Sequence, residues 1–122
     1  MKVTRSLAVF AALNGALAVI IGAFAAHGAG PQVKTLLTTG GHYQMVHALL
    51  ALVCAVWSRS RLVVIAGWLA ATGGLVFALA LSAVALLGLP AMGAVAPIGG
   101  VLMISAWLFL AVAALRPQTA TA

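Results

Sequence analysis

Residues 62–87 read LVVIAGWLAATGGLVFALALSAVALL, with Arg61 before them and Gly88 and Pro90 after them. No residue in the run carries a charge. A helix that crosses hydrocarbon needs about 20 consecutive apolar residues. This stretch exceeds that length, so the chain reads as helical and lipid-embedded. The same texture recurs outward from it. Residues 6–26 form an apolar run behind Lys2 and Arg5, residues 41–57 a shorter one, and residues 97–115 a last one before Arg116-Pro117. Four spans at about 6–26, 41–57, 62–87 and 97–115 fill residues 1–116 as one domain, and 117–122 is expected to be a disordered tail.

Composition agrees with this. The 122 residues include no Asp and no Glu, six Lys or Arg, three His and 66% apolar residues, for a formal charge of +6. Soluble domains carry a charge at about a quarter of their positions; here the share is 5%. The cations form no basic stripe interleaved with aromatics, so nucleic acid is not the expected partner. They flank apolar runs instead, where they hold topology and meet anionic phospholipids at the cytoplasmic face of the bilayer. With four spans, the N-terminus, the second connection and the C-terminus share one side. That side holds Lys2, Arg5, Arg59, Arg61 and Arg116, and the other holds only Lys34. The positive-inside rule then puts both termini in the cytoplasm. Trp57, beside Ser58-Arg59, suits an aromatic anchor at the inner face, and Tyr43 one at the outer face. Lys2 and Arg5 ahead of Ala23-Phe24-Ala25 imitate a cleavable signal. The apolar stretch from Leu7 to Ala26 is longer than the usual core of about 7–15 residues, so a retained first helix is expected. The expected architecture is an all-α integral membrane protein with four transmembrane helices in an up-down-up-down bundle.

Helix ends and seams follow from small and cyclic residues. Gly28 stands where a helix commonly turns left-handed, Gly88 and Pro90 close the third span, and Pro97 suits a first helical turn. Residues 28–40 read as a loop with a short amphipathic helix around Gln32–Leu37, residues 58–61 as a basic turn, and residues 88–96 as an uncharged loop. Lipid gives helices little hydrophobic reason to associate, so close contact through small residues matters. Span one offers Ala11, Gly15, Ala18, Gly22 and Ala25 on one face. Span three offers Gly67, Ala71, Gly74, Ala78 and Ser82. Gly15, Gly22, Gly67 and Gly74 are the packing positions these seams predict.

Polar residues inside spans are expensive and therefore informative. Asn14 lies in span one, expected to bond to a neighbouring helix. Tyr43, Gln44 and His47 open span two, and Tyr43, His47, Ala51 and Cys54 share one helical face, the expected inward one. His27 ends span one on the side where span two begins, so a hairpin could bring it to Tyr43, Gln44 and His47. Three uses of that cluster stand side by side. Neutral His is a common metal ligand, which makes His27 and His47 weak candidates for a metal or haem site, although no carboxylate completes a ligand set. A His near neutral pKa also suits a proton-responsive gate. The structural use has His27 meet the last carbonyls of span one and has Tyr43, Gln44 and His47 hydrogen-bond across helices. No metal and no cofactor is expected on balance. Cys54 lies in an apolar run, cannot form an internal disulfide, and is about 10 Å along the helix from His47 at 1.5 Å per residue, too far for a catalytic pair.

Three runs occur in order, one per region: Gly22-Ala23-Phe24-Ala25-Ala26-His27-Gly28, then Tyr43-Gln44-Met45-Val46-His47-Ala48, then Ala96-Pro97-Ile98-Gly99-Gly100. Together they resemble the domain-of-unknown-function 423 family of small membrane proteins, which is related to eukaryotic transmembrane protein 256. The resemblance covers nearly the whole chain. It implies a multi-span protein, usually of the bacterial inner membrane, with no established activity, and it points to His27, Tyr43, Gln44, His47, Pro97, Gly99 and Gly100. Thr39-Gly40-Gly41 departs from that pattern, since family members have a more helical approach there.

The functional expectation is a small non-enzymatic protein that supports the membrane or a partner complex. The alternatives are a small oligomeric channel or carrier with a polar site near His47, and a His-ligated metal or haem protein. The expected partners are the lipid bilayer and a second copy or another membrane protein. Without Asp or Glu, Ser-His-Asp chemistry and carboxylate proton relays are excluded within the chain.

Overall fold

A computed structural model describes residues 2–117; the expected tail beyond Pro117 lies outside the described residues. Four α-helices follow one another: α1 (Arg5–His27), α2 (Pro31–Val56), α3 (Arg61–Leu87) and α4 (Ala96–Leu115), with a 3₁₀ turn at Pro90–Ala94 leading into α4. α1, α3 and the segment Pro90–Leu115 are each long and apolar enough to cross a membrane. Local chemistry sets the ends. Ser60 Oγ accepts the Val63 N–H at the start of α3, which satisfies one of the donors a helix start leaves orphaned. Gly88 ends α3 at φ 63°, a conformation that costs any residue with a Cβ. Pro31 and Pro97 sit in first turns, where their missing N–H is no loss.

Three expectations need correction. Residues 28–40 are not a loop: α2 is continuous from Pro31, and the connection is only residues 28–30. Thr39-Gly40-Gly41 read as a break because two glycines in a row weaken an isolated helix. Inside the fold those glycines let other helices come close, and the packing gained outweighs the weak propensity. Gly28 is not left-handed; it sits at φ −121° and simply continues the last turn, its N–H donating to Phe24 O. Residues 88–96 are not a plain loop, because the 3₁₀ turn occupies most of them and α4 begins one residue before Pro97.

Successive helices run antiparallel. Thr4, at the start of α1, donates its N–H to Ala55 O of α2, and Ala18 lies against Gly41. Cys54 of α2 faces Gly67 of α3, and Gln44 faces Gly74. Gly73 and Phe77 of α3 face Gly99 of α4. α3 is the central helix: it packs along α2 on one side, along α4 on another, and more briefly against α1. Among the described residues α1 and α4 share no packed seam, so the array is open where a closed ring of four helices would have joined them. The interior is largely alanine, including Ala11, Ala51, Ala66, Ala70, Ala78 and Ala106, all essentially inaccessible.

Glycine is needed where backbones touch. A methyl at Gly99 would lie 2.6 Å from Phe77 N and 2.7 Å from Gly73 O, and one at Gly73 would lie 2.8 Å from Gly99 O. A methyl at Gly40 would lie 3.2 Å from the Ala78 Cα, and one at Gly41 would lie 3.4 Å from Ala18 O. Gly67 packs against Leu7 of α1 and Cys54 of α2, and Gly74 against Gln44 and His47 of α2. Gly15 and Gly22 do not act as packing positions: a methyl at either meets nothing within 4 Å, and Gly22 is exposed. The buried face of α1 instead carries Leu7, Ala11, Asn14, Ala18 and Ala25, so the alanines of the expected seam are the part that packs. Gly99→Ala should therefore lower stability by about 1–3 kcal/mol, the usual cost of overpacking a tight contact. Gly15→Ala and Gly22→Ala should leave the melting temperature in detergent unchanged or slightly raised. Equal effects at all three positions would refute this assignment of the seams.

Candidate functional site

The polar residues meet in two places, both centred on α2. In the first, Gln44 is fully buried and points at α1. Its Nε2 donates to Asn14 Oδ1 at 2.9 Å, and Asn14 Nδ2 donates to the Phe10 carbonyl one turn earlier at 3.1 Å. Asn14 is thus spent on one interhelical bond and one bond within its own helix, as an intramembrane amide is expected to be. Gln44 Oε1 is buried with no partner among the described residues.

In the second, His47 bridges to α4. Its Nδ1 lies 2.7 Å from Tyr43 O, and Trp107 Nε1 donates to its Nε2 at 3.0 Å. A carbonyl only accepts and an indole N–H only donates. The tautomer is therefore determined: the proton is on Nδ1 and the lone pair on Nε2. His47 is neutral in this arrangement, and both ring nitrogens are occupied. The Tyr43 ring stacks at 6.4 Å from the His47 ring and meets Phe77 edge-on at 5.3 Å.

This second group forms one wall of a groove of about 590 Å³ between α2 and α4, floored by Phe77 of α3. Thr39, Tyr43 and His47 line one side, and Gly100, Met103 and Trp107 the other. It exists because α4 packs on α3 alone and leaves a gap beside α2. The groove does not reach Asn14, which lies behind α2.

The expected cluster of five is therefore divided. Gln44 joins Asn14, and His47 joins Tyr43. His27 joins neither; it is exposed at the end of α1 and donates no side-chain hydrogen bond among the described residues. The expected inward face holds for His47, Ala51 and Cys54, which are buried. Tyr43 is 46% exposed, and Gln44 takes the inward position beside it. Among the described residues no three His or Cys come together as a metal would require, and His27 and His47 are not neighbours. Trp107 is the site residue that the sequence did not single out. Its indole had the right chemistry for an interhelical donor, but its partner lies 60 residues away.

A family described as "Protein of unknown function (DUF423)" matches residues 21–100. The chain belongs to the DUF423 family. The matched DUF423 region runs from late α1 to early α4 and encloses Tyr43, Gln44, His47 and Gly99, although not Asn14 and Trp107, to which two of them bond. The chain is 37% identical over 114 residues to the UPF0382 membrane protein of Staphylococcus epidermidis strain ATCC 12228, covering 88% of this chain and 93% of that one. It is 34% identical over 116 residues to the UPF0382 membrane protein YwdK of Bacillus subtilis strain 168, covering 88% and 94%. A Staphylococcus aureus UPF0382 membrane protein, from strain bovine RF122, is 33% identical over 114 residues, covering 88% and 93%. No solved structure matches the chain. The resemblance read from the three motifs therefore holds, and this is a helical membrane protein of the DUF423 family.

Trp107→Phe should keep the ring in the groove but leave His47 Nε2 without its donor, at a cost of about 1–3 kcal/mol. His47→Ala should cost more, because it also removes the ring that bonds to the Tyr43 carbonyl and stacks on the Tyr43 ring. Thermal unfolding in detergent measures both. Unchanged stability in the two variants would remove the structural role of this bond.

Proposed function

We propose that this DUF423 protein crosses a bacterial inner membrane four times with both termini in the cytoplasm. It performs no chemistry of its own and acts by supporting the bilayer or a partner complex. The observation that carries the reading is the fate of its polar interior. Asn14, the Gln44 amide N–H, His47 and Trp107 are engaged with one another or with helix carbonyls, inside an apolar core in which alanine predominates. No acid–base pair and no activated nucleophile is left over among the described residues.

The fourth crossing rests on α2, the least apolar helix by sequence. Its 26 residues span about 39 Å at 1.5 Å per residue, more than the roughly 30 Å of hydrocarbon. Several of its costly positions turn inward: Gly40, Gly41, Gln44 and His47 are buried, and His42 is exposed. The Thr35 and Thr39 hydroxyls donate back to the carbonyls of Pro31 and Thr35. From Val46 onward the residues facing outward are Val46, Leu49, Leu52, Val53 and Val56, a surface suited to lipid, while the exposed polar residues Lys34, Thr38 and His42 lie toward the start of the helix. Orientation rests on charge. Ser58 Oγ donates to Lys2 O, and an Arg59 guanidinium N–H donates to Arg116 O, so the chain start, the α2–α3 turn and the end of α4 gather at one end. Lys34 is at the other. Positive charge favours the cytoplasmic side.

The carrier alternative draws on one observation, the groove beside His47, which opens sideways where a second copy would close it. A monomer by light scattering in detergent would count against it.

Two measurements test the main reading. With Cys54→Ser as background, Ala29→Cys should react with a membrane-impermeant maleimide on intact cells, and Ser58→Cys should react only after lysis; the reverse pattern would overturn the orientation. Protein purified gently from native membranes should be colourless and free of stoichiometric metal, and should carry a partner protein or bound lipid. A visible absorption band or one metal per chain would overturn the non-enzymatic reading in favour of a His-ligated cofactor.

A further inference from the structure

Five of the six cations gather at one end of the array, and the chain contains no carboxylate side chain to balance them. Three of them, Lys2, Arg59 and Arg61, line a shaped cavity. Between the start of α1 and the α2–α3 turn lies a depression of about 430 Å³. Its polar wall is Lys2, Thr4, Ser58, Arg59, Ser60 and Arg61. Val3 and Val64 add an apolar edge.

The walls are tied before any ligand arrives. Thr4 N–H donates to Ala55 O at 2.9 Å, Ser58 Oγ donates to Lys2 O at 2.8 Å, and Arg59 donates to Arg116 O at 3.2 Å. The Arg59 guanidinium also lies 5.3 Å from the centre of the Trp57 ring. Because these links join α1, the turn and α4, little ordering remains to be done on binding. The donor set has one character. Ser60 Oγ accepts from Val63 N–H, so its own proton is free for an acceptor. Lys2, Arg59 and Arg61 can only donate. α1 and α3 both begin here, with Arg5 and Arg61 as first residues, and helix starts favour anions.

We propose that this cavity is a binding site for a phosphate group, held by Arg59 and Arg61 with Lys2 and the Ser60 hydroxyl. The inference deepens the membrane reading above and rests on it for one choice only, that the phosphate is the headgroup of an anionic phospholipid and not a free ion. Arg and phosphate match as a bidentate pair. Val3 and Val64 sit where the glycerol and the first methylenes would leave the headgroup. Trp57 marks the level at which aromatic rings meet headgroups.

Native mass spectrometry of the full chain in detergent tests this, with phosphatidylglycerol, phosphatidylcholine and inorganic phosphate as probes. The wild type should bind phosphatidylglycerol in preference to phosphatidylcholine. Arg59→Gln and Arg61→Gln should each weaken phosphatidylglycerol about tenfold, as loss of a charged hydrogen bond does. Lys34→Gln, an equal charge change at the opposite end, should have no effect. Competition by inorganic phosphate at similar concentration would assign the site to the free ion; failure to compete assigns it to the lipid. Equal binding of the two lipids by the wild type overturns the proposal without recourse to any variant, as does an equal loss from Lys34→Gln. If maleimide labelling reverses the orientation while the lipid preference persists, the topology fails and the site stands.

Discussion

The close approach of α2 to α1 and α3 at Gly40-Gly41 is the constraint on which the rest depends. In lipid, apolar side chains gain nothing by turning away from the solvent, so helices must be held by contact and by hydrogen bonds. At Gly40 and Gly41 the α2 backbone is within a methyl's reach of the Ala78 backbone on one side and the Ala18 carbonyl on the other. That proximity puts Gln44, one turn further on, within 2.9 Å of Asn14. It also lets Gly74 pass the His47 Cβ. A bulkier pair at 40–41 would part three helices and both polar links together.

The second close approach, Gly73 against Gly99, attaches α4 to α3 and to little else. The groove beside α2 is the consequence, and among the described residues the His47–Trp107 bond is the polar tie across it. Such bonds in a membrane are modest in energy, yet each removes two polar groups from lipid. The molecule therefore spends its few intramembrane polar groups on shape, and its fixed charges lie at the ends, where chemistry with the bilayer surface is available.

Much of this was legible in the chain. The run 62–87, the helix end at Gly88 and the first-turn proline at 97 are local signals, and local signals are what a helix end responds to. The packing roles of Gly67 and Gly74 were legible too, because their spacing keeps one face small. Gly40-Gly41 misled because the same residues serve a turn and a tight crossing, and only the partner distinguishes them. Gly15 and Gly22 misled in the opposite way: they share a face with Ala11, Ala18 and Ala25, yet no neighbour comes close enough to need them. A 13-residue loop over 28–40, able to fold back, would bring His27 toward His47; with α2 beginning at Pro31, the two lie at different levels of the array.

The sequence by itself determined that this protein is helical, that it lives in a membrane, and that its charge lies at one end. Those properties follow from composition and from order along the chain, and they need no knowledge of which helix meets which. Only the tertiary structure decided that Gln44 pairs with Asn14 and His47 with Trp107, that α4 leans on α3 alone, and that Lys2, Arg59 and Arg61 ring one cavity. Four alanine-rich helices offer many nearly equivalent faces. The choice among them is made by pairwise fit, where a missing Cβ on one helix admits the backbone of another, and that fit belongs to no single stretch of sequence.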